Sequence, residues 1–158
     1  MTGVVARRFT DGILRQATVE RLSKHEYAIT APDSTAAMME ALSDEFSRRI
    51  LGCAIKKGRT IGEIYVEQGI PPSTCYKRIK RLVESGVMVV ERMIVPPTGK
   101  KYAVYRSTFS RLYVGWENGQ LAARVTVNPE VAEKLENAWL AMLRKKSEGK
   151  VSPGALPK

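Results

Sequence analysis

The stretch that decides the fold is IPPSTCYKRIKRLVESGV, residues 70–87. At the 100° spacing of an α-helix, one side of it holds Cys75, Ile79, Leu82 and Gly86. Such a stripe indicates a helix with one buried face. Proline is favoured in the first turn of a helix and glycine just past its end. We therefore predict a helix from about Pro72 to Ser85.

The opposite face of this helix is polar and mostly cationic. It carries Ser73, Lys77, Lys80, Arg81 and Glu84, with Tyr76 and Arg78 on the flanks. Short polar groups near the helix start suit the edges of bases, and long cations further along suit phosphates. A solvated cationic face with no ligand is the alternative interpretation.

Two helices are predicted before this one. The first begins at Ser43-Asp44-Glu45, where a capping side chain is followed by an acidic first turn, and it ends at Lys56-Lys57-Gly58. Its apolar stripe consists of Phe46, Ile50, Leu51, Ala54 and Ile55. The second helix spans Thr60 to Gln68, and Gly69 ends it.

Two β-hairpins are predicted after Gly86. Residues 87–95 and 102–106 are strand-like and flank a turn at residues 96–101. In the second hairpin, Asn118-Gly119 is a type I′ turn signal. Its two-residue loop pairs Trp116 with Leu121, Val114 with Ala123 and Leu112 with Val125. Helix, helix, turn, helix and hairpin is the order of a winged helix-turn-helix.

A last helix is predicted from Pro129 to Lys146. We predict that it forms a homodimer interface through Val131, Leu135, Ala138, Trp139 and Met142. In the alternative, it folds back over the second hairpin of its own chain and covers Trp116 and Val114.

The predicted fold class is α+β: a winged helix-turn-helix with an extra β-hairpin and a C-terminal dimerisation helix. Four units are expected. Residues 1–32 form a weakly structured extension, 33–108 the winged-helix domain, 109–146 the hairpin and last helix, and 147–158 a disordered tail. Within the extension, Ile13, Leu14 and Ala17 are compatible with a short helix and residues 27–29 with a strand. A helix start capped by Asp33 or Ser34 follows a stop at Pro32.

Charge is concentrated in one part of the chain. Between Ser73 and Arg106 there are eight basic and two acidic residues, which gives +6 of the formal +10. Such an excess attracts a polyanion through release of condensed counterions, and nucleic acid is the first candidate. The predicted DNA-binding residues are Ser73, Thr74, Tyr76, Lys77, Arg78, Lys80, Arg81, Arg92, Lys100, Lys101 and Arg106.

Other functional classes find little support. HExxH, GxSxG, GxGxxG and P-loop motifs are absent, so we predict no enzyme and no cofactor. Cys53 and Cys75 are too few for a structural zinc site, and His25 stands alone among polar residues. No apolar run reaches the roughly 20 residues that cross a bilayer, and no secretory signal is evident, so we expect a cytoplasmic protein without a membrane partner.

Two segments resemble ArsR-type winged-helix regulators. Residues 41–51, ALSDEFSRRIL, are similar to their opening helix, and residues 70–87 to their recognition helix and its exit. The resemblance covers residues 41–108 and implies transcriptional regulation by a homodimer. It departs from the metal-sensing members, because Thr60 to Gln68 contains no cysteine, and the pair Pro71-Pro72 in the turn is unusual.

The sequence therefore predicts a transcription regulator that binds double-stranded DNA with a recognition helix in the major groove and a basic wing. Two alternatives remain open: a winged helix that binds RNA or the transcription machinery, and a chromosome-packing protein without sequence preference.

Overall fold

A computed structural model describes residues 19–155, except for the side chains of 133–135 and 146–155. The candidate helix at Ile13, Leu14 and Ala17 lies outside the described residues. The helices are α1 (Pro32–Ser43), α2 (Glu45–Cys53), α3 (Ile61–Gln68), α4 (Pro72–Glu84) and α5 (Pro129–Ala155). The strands are β1 (Val19–Arg21), β2 (Glu26–Ile29), β3 (Met88–Ile94), β4 (Tyr102–Ser107), β5 (Phe109–Glu117) and β6 (Gln120–Val127).

Helices α3 and α4 lie close to their predicted bounds, and α2 begins as predicted, but α2 ends at Cys53, before its predicted end at Lys56-Lys57-Gly58. The Asp44 carboxylate accepts a hydrogen bond from the Ser47 backbone N–H at 2.8 Å and caps α2. Thr60 and Glu63 form a reciprocal capping box at the start of α3. Gly69 ends α3 in the left-handed region at φ 63°, which a residue with a Cβ rarely adopts. These local signals fix the helix-turn-helix.

The first hairpin, β3–β4, packs its base against α4 and forms the wing. A bulge interrupts its register between Val90 and Arg92. Arg59 extends the hairpin, because its backbone exchanges hydrogen bonds of 2.9 and 2.7 Å with Tyr105 of β4. The loop before α3 is thereby attached to the base of the wing.

The second sheet is antiparallel, in the order β1-β2-β6-β5. The predicted pairs Trp116–Leu121, Val114–Ala123 and Leu112–Val125 are confirmed. The strand predicted at residues 27–29 is also confirmed and lies in β2. Residues 19–29 were expected to be weakly structured, but they supply two strands of this sheet. A four-residue strand is stabilised by its partner, and the partner β6 lies about a hundred residues away.

Helix α1 packs on β5 and β6 of this sheet. Its predicted start was wrong: Pro32 is the first helical residue, and neither Asp33 nor Ser34 caps the helix. Proline can take this position because the first N–H groups of a helix have no internal partner. Ser34 is buried, so its position faces the core.

Helix α5 folds back on its own chain. Trp139 is 2% exposed, and its ring meets Tyr27 and Phe109 edge-on at centroid distances of 5.4 and 5.3 Å. Its indole N–H donates to the Gly86 carbonyl at 3.1 Å. The assignment of Trp139 and Val131 to a dimer interface is therefore wrong, because both side chains are already buried in their own core.

The remaining dimer-interface candidates are distributed differently. Ala138 is exposed, Met142 is half-buried beside Gly86, and the Leu135 side chain lies outside the described residues. The alternative prediction was that the helix folds back and covers Trp116 and Val114. The helix does fold back, but Trp116 is 71% exposed and not covered. The helix packs on β3 and β6 and continues to Ala155, past its predicted end at Lys146, so residues 147–155 extend it.

Polar contacts attach α5 to the second sheet. Glu136 is buried and accepts a hydrogen bond from the Tyr27 hydroxyl, and its other oxygen lies 3.0 Å from His25 Nδ1. Burial, followed by the hydrogen bond to Glu136, raises the pKa of Tyr27 to about 12. His25, which the sequence places alone among polar residues, therefore helps to orient a buried carboxylate.

Candidate nucleic-acid interface

Helix α4 presents a polar face to solvent. Its buried stripe consists of Cys75, Ile79 and Leu82, as the 100° spacing predicts. The exposed side chains on the other side are those of Ser73, Tyr76, Lys77, Lys80, Arg81 and Glu84, and Thr74 is half-buried. The described residues include no side chain that caps the start of the helix, where Pro71 and Pro72 stand. This face can therefore approach a nucleic acid with its first N–H groups and with two lysines.

Two arginines of α4 are engaged in ion pairs. Arg78 Nε and Nη2 donate to the two Asp44 oxygens at 2.9 and 3.3 Å. The Arg78 guanidinium, together with the bonds from Ser47, holds the pKa of Asp44 at about 2. Arg78 is therefore attached to the start of α2. Arg81 pairs with Glu40 of α1, but this contact is exposed and can exchange for a phosphate.

The wing extends two lysines into solvent. Lys100 and Lys101 are both exposed and follow Gly99, whose φ of +87° suits a turn. The Gly99 N–H donates to the Pro96 carbonyl at 2.8 Å and closes this turn. Arg92 is exposed on β3, with only the neighbouring Glu91 at 3.4 Å as an ion-pair partner in the described chain. These three cations are available to a polyanion.

Arg106 is not available to DNA, and its assignment as a phosphate contact was wrong. Its side chain is 10% exposed and pairs with Glu91 at 3.2 Å and Glu130 at 2.7 Å. It also donates to the Ile55 carbonyl at 3.1 Å. The guanidinium therefore holds the wing against the start of α5 and the end of α2.

Sequence reasoning missed two cations near this surface. Lys56 and Lys57 are predicted to end a helix, but both are exposed in the loop that leads to Arg59 and the wing. The signal that could have revealed them is their position in the short loop before the helix that starts at Thr60. The wing also exposes several apolar side chains, namely Val90, Met93, Ile94, Val95 and Tyr102.

Helix α4 and the wing form one continuous surface. Helix α4 packs against β3, and burial, with a smaller contribution from nearby Tyr76, raises the pKa of Tyr105 in β4. Lys77 and Lys80 therefore lie on the element next to the hairpin that carries Arg92, Lys100 and Lys101. Within residues 19–155, no cluster of His, Cys, Asp or Glu side chains is arranged to hold a metal ion. No helix of that same stretch is long and apolar enough to span a membrane.

The helix-turn-helix followed by a hairpin defines a winged-helix protein. Residues 43–87 match the family described as winged helix-turn-helix DNA-binding. This match agrees with the predicted winged helix-turn-helix fold.

Relatives and solved structures resemble larger parts of the chain. The HTH-type transcriptional regulator FL11 of Pyrococcus furiosus is 28% identical over 99 residues, which are 62% of this chain and 65% of that protein. A solved homodimeric winged helix-turn-helix domain of Mycobacterium bovis, described as a possible ArsR-family transcriptional regulator, is 21% identical. That likeness has a TM-score of 0.40 and covers 48% of this chain and 64% of that one. A solved ArsR family transcriptional regulator is 19% identical, with a TM-score of 0.34 and coverage of 73% and 97%.

Proposed function

We propose that the protein is a transcription regulator that binds double-stranded DNA as a homodimer in the cytoplasm. The observation that carries the proposal is the exposed pair Lys77 and Lys80 on a helix whose opposite face is buried. In a winged-helix domain this helix is the one that enters the major groove. The family match over residues 43–87 supports the same role.

The proposed contacts divide by chemistry. Ser73, Thr74 and Tyr76 lie in the first turns of α4 and are assigned to base edges or nearby sugars. Lys77, Lys80 and Arg81 are assigned to phosphates beside the groove, and Arg92, Lys100 and Lys101 of the wing to phosphates further along the duplex. Arg78 acts indirectly, because it holds α4 against Asp44.

Binding to the duplex upstream of the protein's own gene and to a random duplex tests the proposal. Fluorescence anisotropy across a salt series gives both affinities. A specific regulator prefers its operator by about a thousandfold or more, with a steep loss of affinity as salt rises. Binding of single-stranded or duplex RNA without DNA binding would contradict the proposal. Equal, tight binding to DNA fragments sampled from the whole genome would indicate a packing protein instead.

A further inference from the structure

The four-stranded sheet ends in two very different edges. At one edge, β1 has only three residues, and two of them are the charged Glu20 and Arg21. At the other, β5 has nine residues and contains no proline. No further strand of the described chain pairs with β5. Protein sheets normally protect such a long edge, because its unpaired N–H and C=O groups recruit another strand.

The backbone of β5 directs a regular set of polar groups to this free edge. A two-residue turn at Asn118-Gly119 makes Glu117 and Gln120 a hydrogen-bonded pair, and antiparallel ladders alternate from there. The N–H and C=O groups of Leu112, Val114 and Trp116 therefore point away from β6. A second strand at this edge can form hydrogen bonds with all three residues.

Two large aromatic side chains of β5 are exposed to solvent. Trp116 is 71% exposed and Tyr113 is 66% exposed, which is unusual for such large rings. The strand also carries Arg111 and Glu117, and neither forms an ion pair with another residue of the described chain. Exposed rings between two unpaired opposite charges indicate a surface that meets another molecule.

The residues RLYVGWE, 111–117, are complementary to themselves. When two copies of β5 pair antiparallel about a two-fold axis at Val114, Arg111 of one copy lies opposite Glu117 of the other, and the pair occurs twice. Leu112 then lies opposite Trp116, and Tyr113 lies opposite Gly115. Opposite charges, aromatic–aliphatic pairs and an aromatic ring beside glycine all stabilise cross-strand neighbours.

A cleft beside Leu112 supports the same register. It has a volume of about 220 Å³, and its lining includes the apolar Leu42, Leu51, Ile55, Phe109 and Leu112 and the polar Arg48, Ser107, Ser110 and Arg111. In the register centred on Val114, Trp116 of the second copy lies opposite Leu112 on the same face of the sheet. Its exposed indole is therefore placed at the mouth of an apolar cleft.

We propose that the chain forms its homodimer by pairing β5 with β5 of a second copy, which joins the two four-stranded sheets into one of eight strands. The inference rests on the homodimer of the proposed function and replaces α5 as its interface. The pairing supplies both a two-fold axis and hydrogen bonds for the free edge. Each Trp116 is covered by the other copy.

Charge reversal at the two ends of β5 tests the pairing. The single variants Arg111→Glu and Glu117→Arg each place two pairs of like charges opposite one another. The dissociation constant of each variant dimer should therefore rise by about tenfold or more. An equimolar mixture of the two variants restores opposite charges and should form a heterodimer in sedimentation velocity. Single variants as dimeric as the wild type, or a mixture that stays monomeric, would overturn the proposal.

Disulfide trapping tests whether the two-fold axis of the dimer lies at Val114. In a hydrogen-bonded antiparallel pair the Cα atoms lie about 5.5 Å apart, within disulfide range, so Val114→Cys should cross-link two copies on mild oxidation. Ala138→Cys on exposed α5 is the matched control, and the wild type gives the background from Cys53 and Cys75. Cross-linking through Ala138→Cys but not Val114→Cys would assign the interface to α5. Both tests use the full chain without DNA, so loss of DNA binding by an intact dimer would contradict the proposed function alone.

Discussion

Asp44 and Arg78 join the start of α2 to the middle of α4. The two carboxylate oxygens accept from the guanidinium at 2.9 and 3.3 Å, while one of them also caps α2 through Ser47. One carboxylate therefore fixes a helix end and the position of the helix that we propose faces DNA. Arg78, which the sequence predicts as a DNA-binding residue, forms an ion pair that joins two helices in the folded chain.

The Asp44–Arg78 ion pair makes the free energy of unfolding depend on pH in the acidic range. The pKa of Asp44 falls from 3.8 to about 2 on folding, so its contribution is complete above pH 4 and disappears as the pH falls toward 2. Asp44→Asn keeps the helix cap but removes the charge. It should cost about 1 kcal/mol at pH 7, since the pair is partly exposed. Urea unfolding of both proteins from pH 2 to 7 gives the free energy of unfolding at each pH. If the free energy of the wild type falls between pH 4 and pH 2 no more steeply than that of Asp44→Asn, the prediction is contradicted.

Arg106 should matter for stability and not for phosphate contact. Arg106→Met removes the ion pairs with Glu91 and Glu130 and one of the two donors to the Ile55 carbonyl, and we expect a loss of about 3 kcal/mol in the free energy of unfolding. Arg92→Met on the same hairpin is the control, because its exposed side chain should change stability by less than about 0.5 kcal/mol. Equal stability of the two variants in thermal unfolding would refute the assignment.

The wing lysines should appear in the salt dependence of DNA binding. Lys100→Ala with Lys101→Ala removes two proposed phosphate contacts, so the slope of log K against log salt should become less steep by about 2. Affinity for specific and random duplexes should fall by the same factor, because phosphate contacts carry no sequence information. A slope equal to that of the wild type would place the wing tip away from DNA.

Trp139 tests whether α5 belongs to the core of its own chain. Trp139→Ala removes the contacts with Tyr27 and Phe109 and the hydrogen bond to Gly86, and it should destabilise the fold by about 4 kcal/mol. Ala138→Gln, at the exposed neighbouring position, should change neither stability nor oligomeric state. If the Trp139→Ala protein keeps native stability but becomes monomeric, α5 forms the dimer interface.

The elements predicted best are those with local signals. Helix α4, the helix from Thr60 to Gln68 and the Asn118-Gly119 hairpin each have their determinants within a few residues, and the structure has them at those positions. Strand β2 pairs with β6 across most of the chain, and no local pattern encodes that pairing; β1 in turn pairs with β2. The function of the outer face of α4 remains a prediction.

Errors in the candidate site come from counting charges without their partners. Arg106 follows Val104 by two residues on β4, so both lie on the same face and both are buried. Strand alternation was enough to suggest burial of Arg106, but not the identity of Glu91 and Glu130 as its partners. Trp139 fits an amphipathic stripe equally well in a dimer or in a monomer core, because periodicity shows which face is apolar and not what covers it.

Joint replacement of Lys77 and Lys80 tests whether these two side chains contact duplex DNA. Lys77→Ala with Lys80→Ala should weaken duplex binding in fluorescence anisotropy by about 2 kcal/mol, with circular dichroism and oligomeric state unchanged. The matched control is Lys24→Ala with Arg124→Ala, which removes two exposed positive charges from the other sheet and should leave affinity nearly unchanged. If both folded double variants bind DNA with equal affinity, Lys77 and Lys80 do not contact the duplex.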